Sequence, residues 1–84
     1  MKIEVIKSNP LTHQLRIGRL SEQLDFIVGD EIMMIDCFKN NILVYRFYGQ
    51  SNITNLPLEV ENQIDRIIFK TLDNKEDGVY NFKN

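Results

Sequence analysis

EIMMIDCFKNNILVYRFY, Glu31 to Tyr48, holds two apolar runs on either side of Lys39-Asn40-Asn41. Ile32, Met33, Met34, Ile35, Cys37 and Phe38 precede the polar break; Ile42, Leu43, Val44, Tyr45, Phe47 and Tyr48 follow it. β-Branched and aromatic residues suit a pleated, half-buried surface. Asn is the residue after glycine that best tolerates the positive φ of a two-residue hairpin turn. The stretch therefore predicts a β-hairpin with strands over about 31–38 and 42–48. A strand with one wet face alternates apolar and polar side chains. Here both parities are apolar in each arm, which predicts strands covered on both faces, at the centre of their sheet. Gly29-Asp30 marks the way in and Gly49 the way out.

Arg46 interrupts the second arm. A buried arginine needs an acidic partner, and Asp36 and Asp30 are the nearest candidates on the facing side; an arginine at a strand end instead snorkels to solvent. Cys37 is the single cysteine, so no internal disulfide is available. Its apolar setting predicts an inert core residue.

Towards the N-terminus the pattern predicts three more strands. Ile3 and Val5 alternate with Lys2 and Glu4 over 2–7, and Ser8-Asn9-Pro10 punctuates. Leu15 and Ile17 alternate with Gln14 and Arg16 over 13–19, and Leu24, Phe26 and Val28 point one way over 24–28. Towards the C-terminus, 50–56 reads as a polar connection and 57–72 as a helix. Thr54 or Asn55 serves as cap, Pro57 suits the first turn, and Glu59 and Glu61 sit near the positive dipole end. Val60, Ile64, Ile67, Ile68, Thr71 and Leu72 recur at helical spacing, opposite Glu61, Asn62, Asp65, Arg66 and Lys70. Tyr80 and Phe82 alternate in the tail, residues 73–84, as in an edge strand or a frayed end.

The expected fold is α+β: one domain, with a small, strongly curved antiparallel sheet of 4–5 strands and one C-terminal amphipathic helix packed on it. The sheet's second face must then be closed by curling into a small barrel or by a partner subunit, which keeps homodimerisation open.

Composition narrows the function. A chain of 84 residues supports one modest core. Ten basic against twelve acidic residues give a net charge of −2. Proteins that grip phosphate backbones usually carry a basic surplus, so the overall balance argues against a general nucleic-acid binder while leaving room for a local patch. No run reaches signal-peptide or membrane-spanning character, and the lone cysteine fits a reducing compartment, so a cytoplasmic location without membrane contact is expected. His13 and Cys37 are the only His and Cys, too few for zinc. The glycines at 18, 29, 49 and 78 are too dispersed for a phosphate loop, and no serine lies in a nucleophile elbow. No catalytic residue, metal site or cofactor is expected.

Two family resemblances follow from particular residues. His13-Gln14-Leu15, Ile27, Asp30, the runs Ile32–Ile35 and Ile42–Val44, Arg46 and Ser51-Asn52-Ile53 stand at spacings that resemble the RelE/YafQ-type toxins. That resemblance spans about half the chain. It implies ribosome-dependent mRNA cleavage with His13, Asp30 and Arg46 as the residues that carry over. The family's two helices after the first strand are missing, and Phe26, Gln50 and Thr54 replace its other histidines and its late aromatic. Gln14-Leu15-Arg16-Ile17, Leu24 and Gly29-Asp30-Glu31-Ile32 resemble the swapped-hairpin AbrB-type DNA-binding domains, with Gly18 in place of a proline and one residue fewer before Leu24. This implies a DNA-binding dimer.

With no catalytic constellation, the leading expectation is a small acidic, non-enzymatic protein-binding module. It would regulate or inhibit a partner, in the manner of phage- or plasmid-encoded inhibitors of host or defence nucleic-acid-handling proteins. Glu22, Asp25, Asp30, Glu31 and Asp36 form the acid-rich band expected to meet that partner, with Tyr45 and Tyr48 as aromatic anchors beside it.

Overall fold

The computed structural model describes residues 2–17, 23–56 and 62–83. They form eight antiparallel strands and, among the described residues, no helix. The strands are β1 (Lys2–Lys7), β2 (His13–Ile17), β3 (Leu24–Val28), β4 (Met33–Lys39), β5 (Ile42–Gly49), β6 (Asn52–Asn55), β7 (Arg66–Thr71) and β8 (Glu76–Lys83). One sheet runs β1-β8-β7-β4-β5 and the other β2-β3-β6.

The β4–β5 hairpin turns at Asn40-Asn41, with φ of 51° and 65°. Positive φ at both central residues is the two-residue turn whose twist matches its strands. The β7–β8 turn uses another asparagine in the same region, Asn74 at φ 68°, held by Thr71 N–H to the Lys75 carbonyl at 2.9 Å.

The core lies between the sheets. Leu24, Phe26 and Val28 on β3 pack against Met33, Ile35 and Cys37 on β4, Ile67 and Phe69 on β7 and Tyr80 on β8, with Leu56 and Ile64 closing the ends. Phe26 meets Phe47 edge-on at 5.0 Å, an arrangement that the ring quadrupoles favour. Two of the crossings between sheets, β3 to β4 and β5 to β6, are tied together: Ser51 N–H donates to the Gly29 carbonyl at 2.7 Å and its hydroxyl to Asp30 at 3.0 Å.

The expected α+β fold is therefore corrected to an all-β one. Of the proposed helix 57–72, residues 57–61 lie outside the described residues, and the segment that was to bury its stripe is β7. Ile67, Phe69 and Thr71 face β4 and β8 on the core side, while Arg66, Ile68 and Lys70 face the other way. Phe69, which a helical stripe leaves out, is fully buried. A strand sends successive side chains to opposite faces, so adjacent Ile67 and Ile68 serve the two faces of a sheet rather than one face of a helix. The expected polar connection 50–56 contains β6, and the tail strand β8 is interior, between β1 and β7. The hairpin is not central as a pair: β4 is paired on both sides, but β5 is an edge.

Candidate interaction surface

Strand register sorts the five-stranded sheet into two unlike faces. On the core face Ile3, Val5, Tyr80, Ile67, Cys37, Tyr45, Phe69, Ile35, Phe47 and Met33 follow one another across the strands without a charge. On the outer face one row runs Glu4, Asn81, Arg66, Phe38, Leu43; the next runs Lys7, Val79, Ile68, Asp36, Arg46; a third runs Glu76, Lys70, Met34, Tyr48. Lys2 and Lys83 pair at the corner.

Asp36 is the centre of this face. It is fully buried, and Arg46 directly across β4–β5 donates to it through Nε at 2.6 Å and Nη2 at 2.9 Å. Lys70 Nζ lies 3.4 Å away. Burial pushes the Asp36 carboxyl up, but the Arg46 and Lys70 contacts outweigh it and hold it below the usual carboxylate range. The two-pronged guanidinium contact fixes geometry as well as charge. Met34 and Ile68, beside Asp36 on this face by register, are 7% and 8% exposed.

β5 is the second feature. Ile42, Leu43, Val44, Tyr45 and Tyr48 are all exposed, and no strand among the described residues pairs with its outer edge. A register shift between Cys37 and Phe38 leaves Val44 as a bulge, which divides the edge into a short arm and the run Tyr45–Gly49. Tyr45, Phe47 and Tyr48 of β5 line, with Thr54 and Asn55 of β6, a shallow cleft of about 230 Å³ where the free edges of the two sheets run side by side.

The acid-rich band expected from the sequence is not one surface. Asp36 is interior to the outer face. Asp25 lies on β3 of the other sheet, where Arg16 Nε is 3.4 Å away and Asn55 Nδ2 donates to it at 2.9 Å. Asp30 serves the crossing between sheets, and Glu31 beside it is exposed. Tyr45 and Tyr48 share β5 but pair with Cys37 on the core side and Met34 on the outer side. Glu22 lies outside the described residues. Of the two acidic partners considered for Arg46, Asp36 holds it.

His13, the residue on which the toxin resemblance turns, is a core residue. It is 2% exposed, stacked on Phe69 at 4.1 Å, with Nε2 2.6 Å from the Tyr80 hydroxyl and Nδ1 3.0 Å from the Thr12 hydroxyl. Burial pushes its pKa down to about 4, partly countered by Asp77. Gly78 makes its room: a β-carbon there would stand 2.7 Å from His13 Cε1 and 2.9 Å from Tyr80 Cε2. His13 is packed between the sheets while Arg46 is on the outer face of one of them, so they do not converge on a shared site. Cys37 is fully buried, and burial, then the Asp36 charge, push its thiol up to about 12. Among the described residues no group of three or more His, Cys, Asp or Glu is placed to hold a metal ion.

The surface residues the sequence did not reveal are Lys2, Lys7, Arg66, Lys70 and Lys83. Each is unremarkable alone, and only the register between distant strands brings them to one face. No protein-family model matches the chain, and neither a curated protein nor a solved structure shows significant similarity to it.

Proposed function

We propose that this protein is a non-enzymatic protein-binding module that takes up an extended strand of a partner protein along β5. The observation that supports this is the edge itself: eight residues, one charge, and apolar side chains exposed on both faces. Natural sheets blunt such edges with lysine, proline or a cover. β5 has a bulge, and its single charge is neutralised by Asp36. Backbone pairing would supply affinity, and the cleft beside Tyr45 and Phe47 would select the partner's side chains. The acidic band has no part in this proposal, because Asp25, Asp30 and Asp36 are already engaged within the chain.

Ile42→Lys and Tyr45→Lys place a charge on the edge at exposed positions. Each should abolish capture of the partner while leaving the melting curve nearly unchanged. With the purified partner bound, amide exchange should slow across Ile42–Gly49. A partner held equally well by both variants, or concentration-dependent self-association lost in both, would overturn the proposal; the second would make the occupant of β5 another copy of this chain.

A further inference from the structure

The outer face of the five-stranded sheet concentrates the basic residues of an acidic chain. Lys2, Lys7, Arg46, Arg66, Lys70 and Lys83 lie on it by register, with Glu4, Asp36 and Glu76. Six of the ten cations and three of the twelve anions give this face +3 and the rest of the chain −5. Its anions are also spoken for. Asp36 is held by Arg46 and Lys70, Glu4 by Lys83 at 2.7 Å, and Glu76 stands opposite Lys70. Lys2, Lys7 and Arg66 make no ion pair among the described residues, and Arg66 is held upright by neutral Asn81 at 3.1 Å. Interleaved with these charges are Phe38, half-buried, and Tyr48, 57% exposed.

We propose that this face binds single-stranded nucleic acid. Cations that track a phosphate backbone, together with aromatic rings on which bases stack, are the two components of strand binding without sequence preference. Across β1 to β5 the face spans about 19 Å, taking four interstrand spacings, which is room for a short run of nucleotides. A duplex is disfavoured, because its grooves admit a helix or a protruding ribbon and this face is a sheet surface. An acidic peptide would meet the charges, but unlike a nucleotide strand it does not carry a flat ring on every repeat to lay on Tyr48. Tyr48 is shared with the β5 edge, but the uncommitted cations lie on β1 and β7, across the sheet, so Lys7→Gln/Arg66→Gln tests this proposal apart from that one.

Anisotropy of a labelled short oligothymidylate tests it. With Lys2, Lys7 and Arg66 as the uncommitted cations, affinity should fall about 20-fold between about 50 and 200 mM salt, from the single-strand slope of about −0.7 per contact. The double variant Lys7→Gln/Arg66→Gln should flatten that slope by about 1.4. Tyr48→Ala should weaken binding about tenfold, with Tyr48→Phe restoring it because the ring face is kept. Lys75→Gln, outside the face, should change nothing. Absence of oligonucleotide binding at low salt would overturn the proposal. So would binding indifferent to Lys7 and Arg66, or equal affinity for polyglutamate or anionic phosphatidylserine vesicles.

Discussion

Acid should loosen this protein in a window set by His13. The ring is neutral where it stands, at a pKa of about 4 against 6.5 for the ordinary side chain. Between those values the unfolded chain binds a proton that the folded one refuses, so stability is full above about pH 6.5 and falls as pH drops towards 4. Integrating the two titrations gives a loss of about 2 kcal/mol from pH 7 to pH 5, and about 3 kcal/mol once both states are protonated. For a chain of 84 residues the first figure corresponds to roughly 8–15 °C in melting temperature. The groups facing the ring are Thr12 and Tyr80, by hydrogen bond, and Asp77, whose charge favours the proton and which Lys75 approaches at 3.9 Å. Asp36 acts in a more acidic window, because its carboxyl titrates below the usual range. The assay is urea denaturation at pH 7 and pH 5, followed by circular dichroism. His13→Gln should be less stable than the parent at pH 7 but lose little further stability at pH 5. A parent with no loss over this interval, or a His13→Gln variant with the same loss, would refute the assignment.

Gly78→Ala should cost about 1–3 kcal/mol, because its methyl meets His13 and Tyr80 rings that Phe69 keeps from retreating; a lowered urea midpoint, smaller when paired with His13→Ala, checks this. Arg46→Met should lower the urea midpoint, but by less than breaking a fully buried pair, because Lys70 remains beside Asp36. The double variant Asp36→Leu/Arg46→Met should recover most of that loss in the same measurement, since an apolar pair leaves no carboxylate in want of a partner.

How far the sequence showed this fold depends on which interactions each segment makes. The hairpin was legible because its signals are local: Asn40-Asn41 fits the turn, and the flanking residues suit strands. Position within the sheet is not local. β4 and β5 have similar composition, yet Met33 to Cys37 are buried and Ile42 to Tyr45 are exposed, because β7, almost thirty residues on, pairs with one and not the other. The helix error has a physical origin too. Ile64, Ile67, Ile68 and Thr71 fit a helical stripe, but they are β-branched, stiff in a helix and at ease in a strand. Phe69 and Lys70 alternate with them as a two-faced strand requires. The second sheet was hidden for another reason: β6 is NITN, four residues whose pairing to β3 and not their composition makes them a strand.

The candidate surface was hidden by averaging. Net charge sums over all directions, whereas a sheet sorts side chains by parity, sending alternate residues to opposite faces. In β7 that sorting places Ile67 and Phe69 in the core and Arg66 and Lys70 on the outer face, and strands from both ends of the chain repeat it beside them. Because the inner face packs on β3, the charges of the five strands, apart from buried Asp77 and Lys39 at the end of β4, occupy the outer one. Their sign is then decided by a few residues: Asp36 is compensated twice over, and Lys2, Lys7 and Arg66 are left in excess. An acidic protein can in this way present a basic platform, with most of its carboxylates elsewhere. The acid-rich band followed from sequence proximity alone, whereas the basic face follows from strand register, to which side chains far apart in the chain are bound by hydrogen-bonded backbone.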